Sequence, residues 1–141
     1  MSDSVLHHGQ IVMDQLPPGF DLAAAVRARH DAGVAIGWMW DLVASRPPAS
    51  VDEQPALTVG VKDGIGILEW NDGQVAYVPA GGTGADWTEY WIAGLHPADV
   101  PPNAHVPLDT VYAAIVEFVS VRTRPACVDW VEAATLLARF E

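Results

Sequence analysis

The side chains that could do chemistry in this sequence are five histidines, one cysteine, a glycine cluster and a few acid pairs, and their spacing decides against most of it. His7 and His8 could ligate a metal, but adjacent histidines lack the spacing that brings two imidazoles to one helix face. His30, His96 and His105 stand in no partner motif. Cys127 lies between Ala126 and Val128 in a segment that reads as a strand. With neither a histidine nor a helix N-terminus to activate it, it is expected to be a packed core thiol. Gly81-Gly82-Thr83-Gly84 lacks the Lys-Ser/Thr that would make it a phosphate cradle, and no helix pattern follows it, so it reads as a loop. There is no Gly-x-Ser-x-Gly nucleophile elbow, and pairs such as Asp52-Glu53 are as common on solvated surfaces as in hydrolytic sites. The expectation is a protein with no catalytic residue, no metal and no cofactor, which acts by binding.

What it would bind is suggested by charge. Lys and Arg total 7 against 18 Asp and Glu, for a formal charge of −11. Nucleic acid and anionic membrane surfaces are therefore repelled, and a basic protein is attracted. Residues 63–121 contain no Lys or Arg, whereas Asp63, Glu69, Asp72, Asp86, Glu89, Asp99, Asp109 and Glu117 supply eight carboxylates. The same stretch holds Trp70, Trp87, Tyr90 and Trp91. Aromatic anchors in an acidic surround suit an interface with a basic protein, and Asp63, Glu69, Asp72, Asp86, Trp87, Glu89 and Trp91 are the candidate contact residues. A solubilising face over a tryptophan-rich core would have the same composition.

The elements that must position these residues follow from periodicity and turn chemistry. Asp21 can cap a helix over 22–32 that stops at Gly33, and 34–43 reads as a strand with Val34, Ile36, Trp38, Trp40 and Leu42 on one face. The proline-rich 47–55 is expected to be an exposed connection. Segments 57–62, 65–70 and 74–79, divided by Asp63-Gly64 and Asn71-Asp72-Gly73, predict a three-stranded meander. A short strand over 87–92 and an irregular stretch over 94–107 follow. Residues 108–121 carry apolar side chains at helical spacing behind Pro107. Pro125 ends that helix, with a last strand over 126–131 and a terminal helix over 132–140. This order predicts one α+β domain over 1–141, a mainly antiparallel sheet with two main helices on one side. The start Met1-Ser-Asp-Ser, without a basic and then apolar run, and the absence of a membrane-length apolar segment predict a soluble, cytoplasmic protein.

Three segments carry a family resemblance: Gly64-Ile-Gly-Ile-Leu-Glu-Trp70, Val106-Pro-Leu-Asp-Thr-Val111 with Phe118 beyond it, and Arg122-Thr-Arg-Pro-Ala-Cys-Val-Asp-Trp130. Their order and spacing resemble the Imm1 immunity proteins of bacterial polymorphic toxin systems. The resemblance covers roughly residues 56–131, and its motifs speak to packing and capping more than to mechanism. It implies a bacterial antidote that binds its cognate toxin one to one, often a nucleic-acid-targeting deaminase, and blocks the active site or substrate channel. The acidic composition agrees, because a toxin that acts on nucleic acid must present a basic cleft. The competing readings are an adaptor domain for another protein, and a small-molecule-binding or hydrolytic α+β domain built on the tryptophans.

Overall fold

The computed structural model describes residues 2–44, 55–72 and 75–133. Its centre is three antiparallel strands, β2 (Trp38–Val43), β3 (Ala56–Lys62) and β4 (Ile65–Asn71). Lys62 faces Ile65 across the β3/β4 turn, which leaves Asp63 and Gly64 as a two-residue loop. Gly64 takes φ 79° there, a conformation that a side chain would strain. β5 (Ala76–Pro79) continues the meander on β4, and β9 (Trp130–Glu132) pairs with β5 at one edge of the sheet. On the far side, β6 (Thr88–Ile92) and β7 (His96–Val100) form a hairpin that joins the start of β2. β1 (Gln10–Val12) joins the end of β2, and β8 (His105–Val106) pairs with β4.

These nine strands make a mixed sheet instead of a purely antiparallel one, since β1 and β6 both run parallel to β2. Both reach β2 by connections too long for a tight hairpin, so nothing forces them antiparallel.

One face of the sheet packs on two helices. α1 (Leu22–Asp31) begins at Asp21, whose carboxylate accepts the Ala24 N–H at 3.0 Å. α2 (Leu108–Val121) follows Pro107 and ends at Arg122, whose left-handed backbone lets its N–H reach the Phe118 carbonyl. Leu22 and Val26 of α1 and Val111, Ile115 and Phe118 of α2 pack with Trp40, Leu42, Leu57, Val59, Leu68 and Trp70. The buried Trp40 indole donates to the Leu6 carbonyl at 2.9 Å, which ties the first turn of the chain to this core. A second, smaller core on the other face gathers Met39, Ile67, Val78, Tyr90, Val100, Ala104 and Ala133. No described helix is long and apolar enough to cross a membrane.

Four local expectations are corrected. Residues 34–37 are not strand, and Ile36 is 39% exposed. Gly33 enters with φ 104°, and a side chain on Gly37 would strike the Tyr90 ring, so the chain is bent where apolar alternation suggested an extended run. The stretch 94–107 contains β7 and β8, because an edge strand tolerates Pro97 where an inner one would not. The last strand is Trp130–Glu132, in place of the start expected at 126. Ahead of it the Glu117 carboxylate accepts the N–H groups of Ala126 and Cys127 and holds them in a turn, which leaves Cys127 exposed and not in the core. The proline-rich connection, apart from Pro55, and the terminal helix from residue 134 lie outside the described residues.

Candidate functional site

The seven candidate contact residues fall into three places. Asp63 is exposed in the β3/β4 turn at the start of β4, and Asp72 is exposed just past its end. β6 runs in the same direction as β4, so Asp86, Trp87 and Glu89 at its start share Asp63's end of the sheet. Asp72 lies at the opposite end, where its carboxylate accepts the Val75 N–H at 2.8 Å. The acidic surface is therefore divided, and the loop around Asp72 does not join the one at Asp86 to Glu89.

Glu69 is not on either rim. It sits mid-strand on the face opposite α1 and α2, and its direct cross-strand neighbours are Thr58 on β3 and, beyond it, Asp41 on β2. The Thr58 hydroxyl donates to Asp41, which partly offsets the burial that raises the Asp41 carboxyl above its ordinary range. Burial, and secondarily the charge of Asp41, push Glu69 up to about 7. Nothing in the strand alternation Ile65-Gly-Ile-Leu-Glu-Trp70 distinguished this carboxylate from a solvated one, because the strand is buried on both faces.

The hairpin β6/β7 gathers most of the remaining candidates. Its inward side presents Tyr90, Ala98 and Val100 to the second core. Its outward side carries Glu89 directly opposite Asp99 and Trp91 directly opposite Pro97. Both carboxylates are exposed, Trp91 is half-buried, and Trp87 just before β6 is 55% exposed. Like charges placed directly across a strand pair destabilise it, so nothing internal to the hairpin favours the Glu89/Asp99 arrangement. Nor, among the described residues, does a Lys or Arg pair with either carboxylate. Arg27, Arg29, Lys62 and Arg124 lie over the rings of Tyr112, Trp38, Tyr90 and Tyr77, and Arg122 pairs with Asp14. These are all the Lys and Arg among the described residues.

Residues 21–132 match the family of immunity protein Imm1, from the α1 cap to the last strand. The chain belongs to the Imm1 family of immunity proteins. No curated protein was found to match it. The Imm1 match thus spans both helices and all but the first of the strands that build the sheet. It extends the resemblance seen at residues 56–131 back over α1 and β2. Membership implies that the protein binds a cognate toxin.

Two features of this Imm1 protein escaped the reading of its sequence. Asp99 was one of eight acids in a base-free stretch, and only the β6/β7 register shows it facing Glu89. The other is a groove of about 510 Å³ between α1 and α2, with Ala23, Ala24 and Ala113 in its lining and Asp21 and Asp109 along it. Alanines on two helices signal close packing as readily as a groove, so their positions carried no warning. Among the described residues no group of three His, Cys, Asp or Glu side chains could hold a metal. Cys127, exposed beside Glu117, has its thiol pushed up by the partial desolvation of its sulfur and then by that carboxylate, which opposes nucleophilic activation.

Proposed function

We propose that this Imm1 protein acts as one domain that neutralises a nucleic-acid-targeting toxin, such as a deaminase, by lying one to one across its active site or substrate channel. The observation that carries the reading is the outward face of the β6/β7 hairpin, where Glu89 and Asp99 stand opposed beside two tryptophans and pair with no Lys or Arg among the described residues. Such a surface gains most from a basic partner. The partner's Lys and Arg side chains relieve the repulsion between the carboxylates, and Trp87 and Trp91 supply apolar area to the centre of the contact. A toxin that binds nucleic acid must expose basic groups around its substrate channel, so occupying them also excludes substrate. The reading assigns no chemical step, cofactor or metal to the protein.

Asp63, Asp86 and Glu89 form the acidic side of the proposed contact with Trp87 and Trp91, Asp99 joins them, and Asp72 and Glu69 are left out. Co-expression with the neighbouring toxin gene tests this. The parent protein should permit growth and co-purify with the toxin. A folded variant carrying Asp86→Lys, Glu89→Lys and Asp99→Lys should lose protection when toxin expression is raised. Full protection and unchanged co-purification by that variant would remove the hairpin from the contact.

A further inference from the structure

The last turn of α1 reaches two parts of the proposed contact at once. His30 stands there, and its Nε2 accepts the Gly64 N–H of the β3/β4 turn at 3.1 Å, across 34 positions of sequence. A ring nitrogen that accepts must carry its lone pair, so the proton of the neutral imidazole sits on Nδ1, which faces the Asp31 carboxylate at 3.1 Å. One tautomer thus satisfies both neighbours. Arg29, one residue earlier, lies over the Trp38 ring at 4.9 Å from its centre and donates to the Gly33 carbonyl at 2.9 Å. Trp38 in turn stands directly across from Trp91 in the pairing of β2 with β6.

One turn of helix therefore braces both the loop that carries Asp63 and the strand that carries Trp91. The Gly64 N–H belongs to the peptide plane that follows Asp63, so holding it fixes the backbone of Asp63 and the direction in which its exposed carboxylate leaves the turn. Glycine leaves that plane free to rotate when nothing holds it. The His30 side chain is 16% exposed against 67% for Asp31, so the imidazole is placed to hold the turn and has little surface of its own to offer a partner. The hydrogen bond itself lies at an exposed site. Water replaces a lost acceptor there, so removing the imidazole costs the fold little while it frees the turn.

We propose that His30 is a positioning residue for the toxin contact, which fixes the β3/β4 turn so that the Asp63 carboxylate meets a lysine or arginine of the toxin at ion-pair distance. The inference rests on the immunity reading and adds to it a residue that acts through Asp63 without touching the toxin. Position and charge have different kinetic signatures. The long-range field of a carboxylate changes little when the group swings, so the acids of the hairpin steer encounter whatever their exact aim. A close ion pair depends on that aim and acts on the lifetime of the complex.

The test uses the full chain and the purified product of the adjoining toxin gene, with circular dichroism to confirm folding of each variant. His30→Phe keeps a flat ring and removes the acceptor, whereas His30→Gln removes the ring and restores an acceptor oxygen. His30→Ala removes both and stands in for His30→Phe if that variant does not fold. His30→Phe should speed dissociation by about threefold or more, with association changed by less than about twofold. His30→Gln should stay within about twofold of the parent in both rates, an order that a role in packing alone would reverse. In an Asp63→Ala background His30→Phe should have no further effect on dissociation, because its effect passes through that carboxylate. Parent-like dissociation from folded His30→Phe, or the same acceleration with and without Asp63, overturns the inference and leaves the hairpin reading standing. So does a His30→Gln variant that releases toxin as fast as His30→Phe. A parent protein that fails to bind the toxin overturns both readings together.

Discussion

At the scale of single residues, the most informative side chain is Glu69, because its environment opposes its charge. It lies beside Thr58 and Asp41 on the face opposite α1 and α2, and burial together with Asp41 holds its carboxyl at about 7 against an ordinary 4.5. The folded protein therefore binds that proton more tightly than the unfolded chain does. Between about 4.5 and 7 the native state carries more protons, so stability falls as pH rises through that window, and the penalty is complete above it. Asp41 is shifted in the same direction and adds to the effect. The shift of Glu69 corresponds to at most about 3 kcal/mol. Glu69→Gln should thus stabilise the protein by about 1 to 3 kcal/mol at a pH near 8 and change little at a pH near 4, where the glutamate is already protonated. Denaturant melts at the two pH values measure this, and equal stabilisation at both would show that the side chain is not held as described. A sequence places Glu69 in an acidic stretch but cannot say that Asp41, twenty-eight positions earlier, is its neighbour but one across the sheet.

At the scale of elements, what was legible is what local chemistry dictates. The β3/β4 hairpin follows from Asp63-Gly64, and α2 runs over Leu108–Val121 as its apolar spacing and Pro107 require. α1 was readable from the Asp21 cap and Gly33. What could not be read depends on distant parts of the chain. β7 and β8 exist because β6 and β4 offer them hydrogen-bond partners, and the chain bends at Ala35 and Ile36 just before Gly37, where a side chain would strike the Tyr90 ring. The turn at Ala126 and Cys127 depends on a carboxylate from α2. The candidate site divides along the same line: its acids and tryptophans were countable, but the β6/β7 register that opposes Glu89 to Asp99 was not. The junction of α2 with the sheet gives a direct check. Phe118 is buried and meets Trp70 edge-on, with ring centres 6.1 Å apart, so Phe118→Ala should cost about 3 to 5 kcal/mol. Toxin binding by whatever fraction remains folded should keep the parent dissociation rate, because the lesion lies in the core. A variant that melts like the parent but releases toxin faster would move Phe118 into the contact.

At the scale of the whole molecule, charge and its placement have separate consequences. A formal charge of −11 attracts any basic partner from a distance, so a general attraction alone would make every surface acid equally important. The structure breaks that equivalence. Asp63, Asp86 and Glu89 share one end of the sheet and Asp99 faces Glu89, whereas Asp72 stands at the other end of β4. Steering by a localised patch then predicts that reversing Asp86, Glu89 and Asp99 to Lys slows association by about tenfold or more at low ionic strength. Asp72→Lys should give only the small, uniform slowing expected from a lower net charge. Raising salt until the screening length falls below roughly 8 Å should shrink the first effect towards the second. Stopped-flow association over a salt series, compared at equal net charge by placing the three reversals one at a time, separates position from total charge. Equal slowing by Asp72→Lys and Glu89→Lys would mean that net charge alone drives encounter, and the toxin-facing surface would then have to be sought in shape.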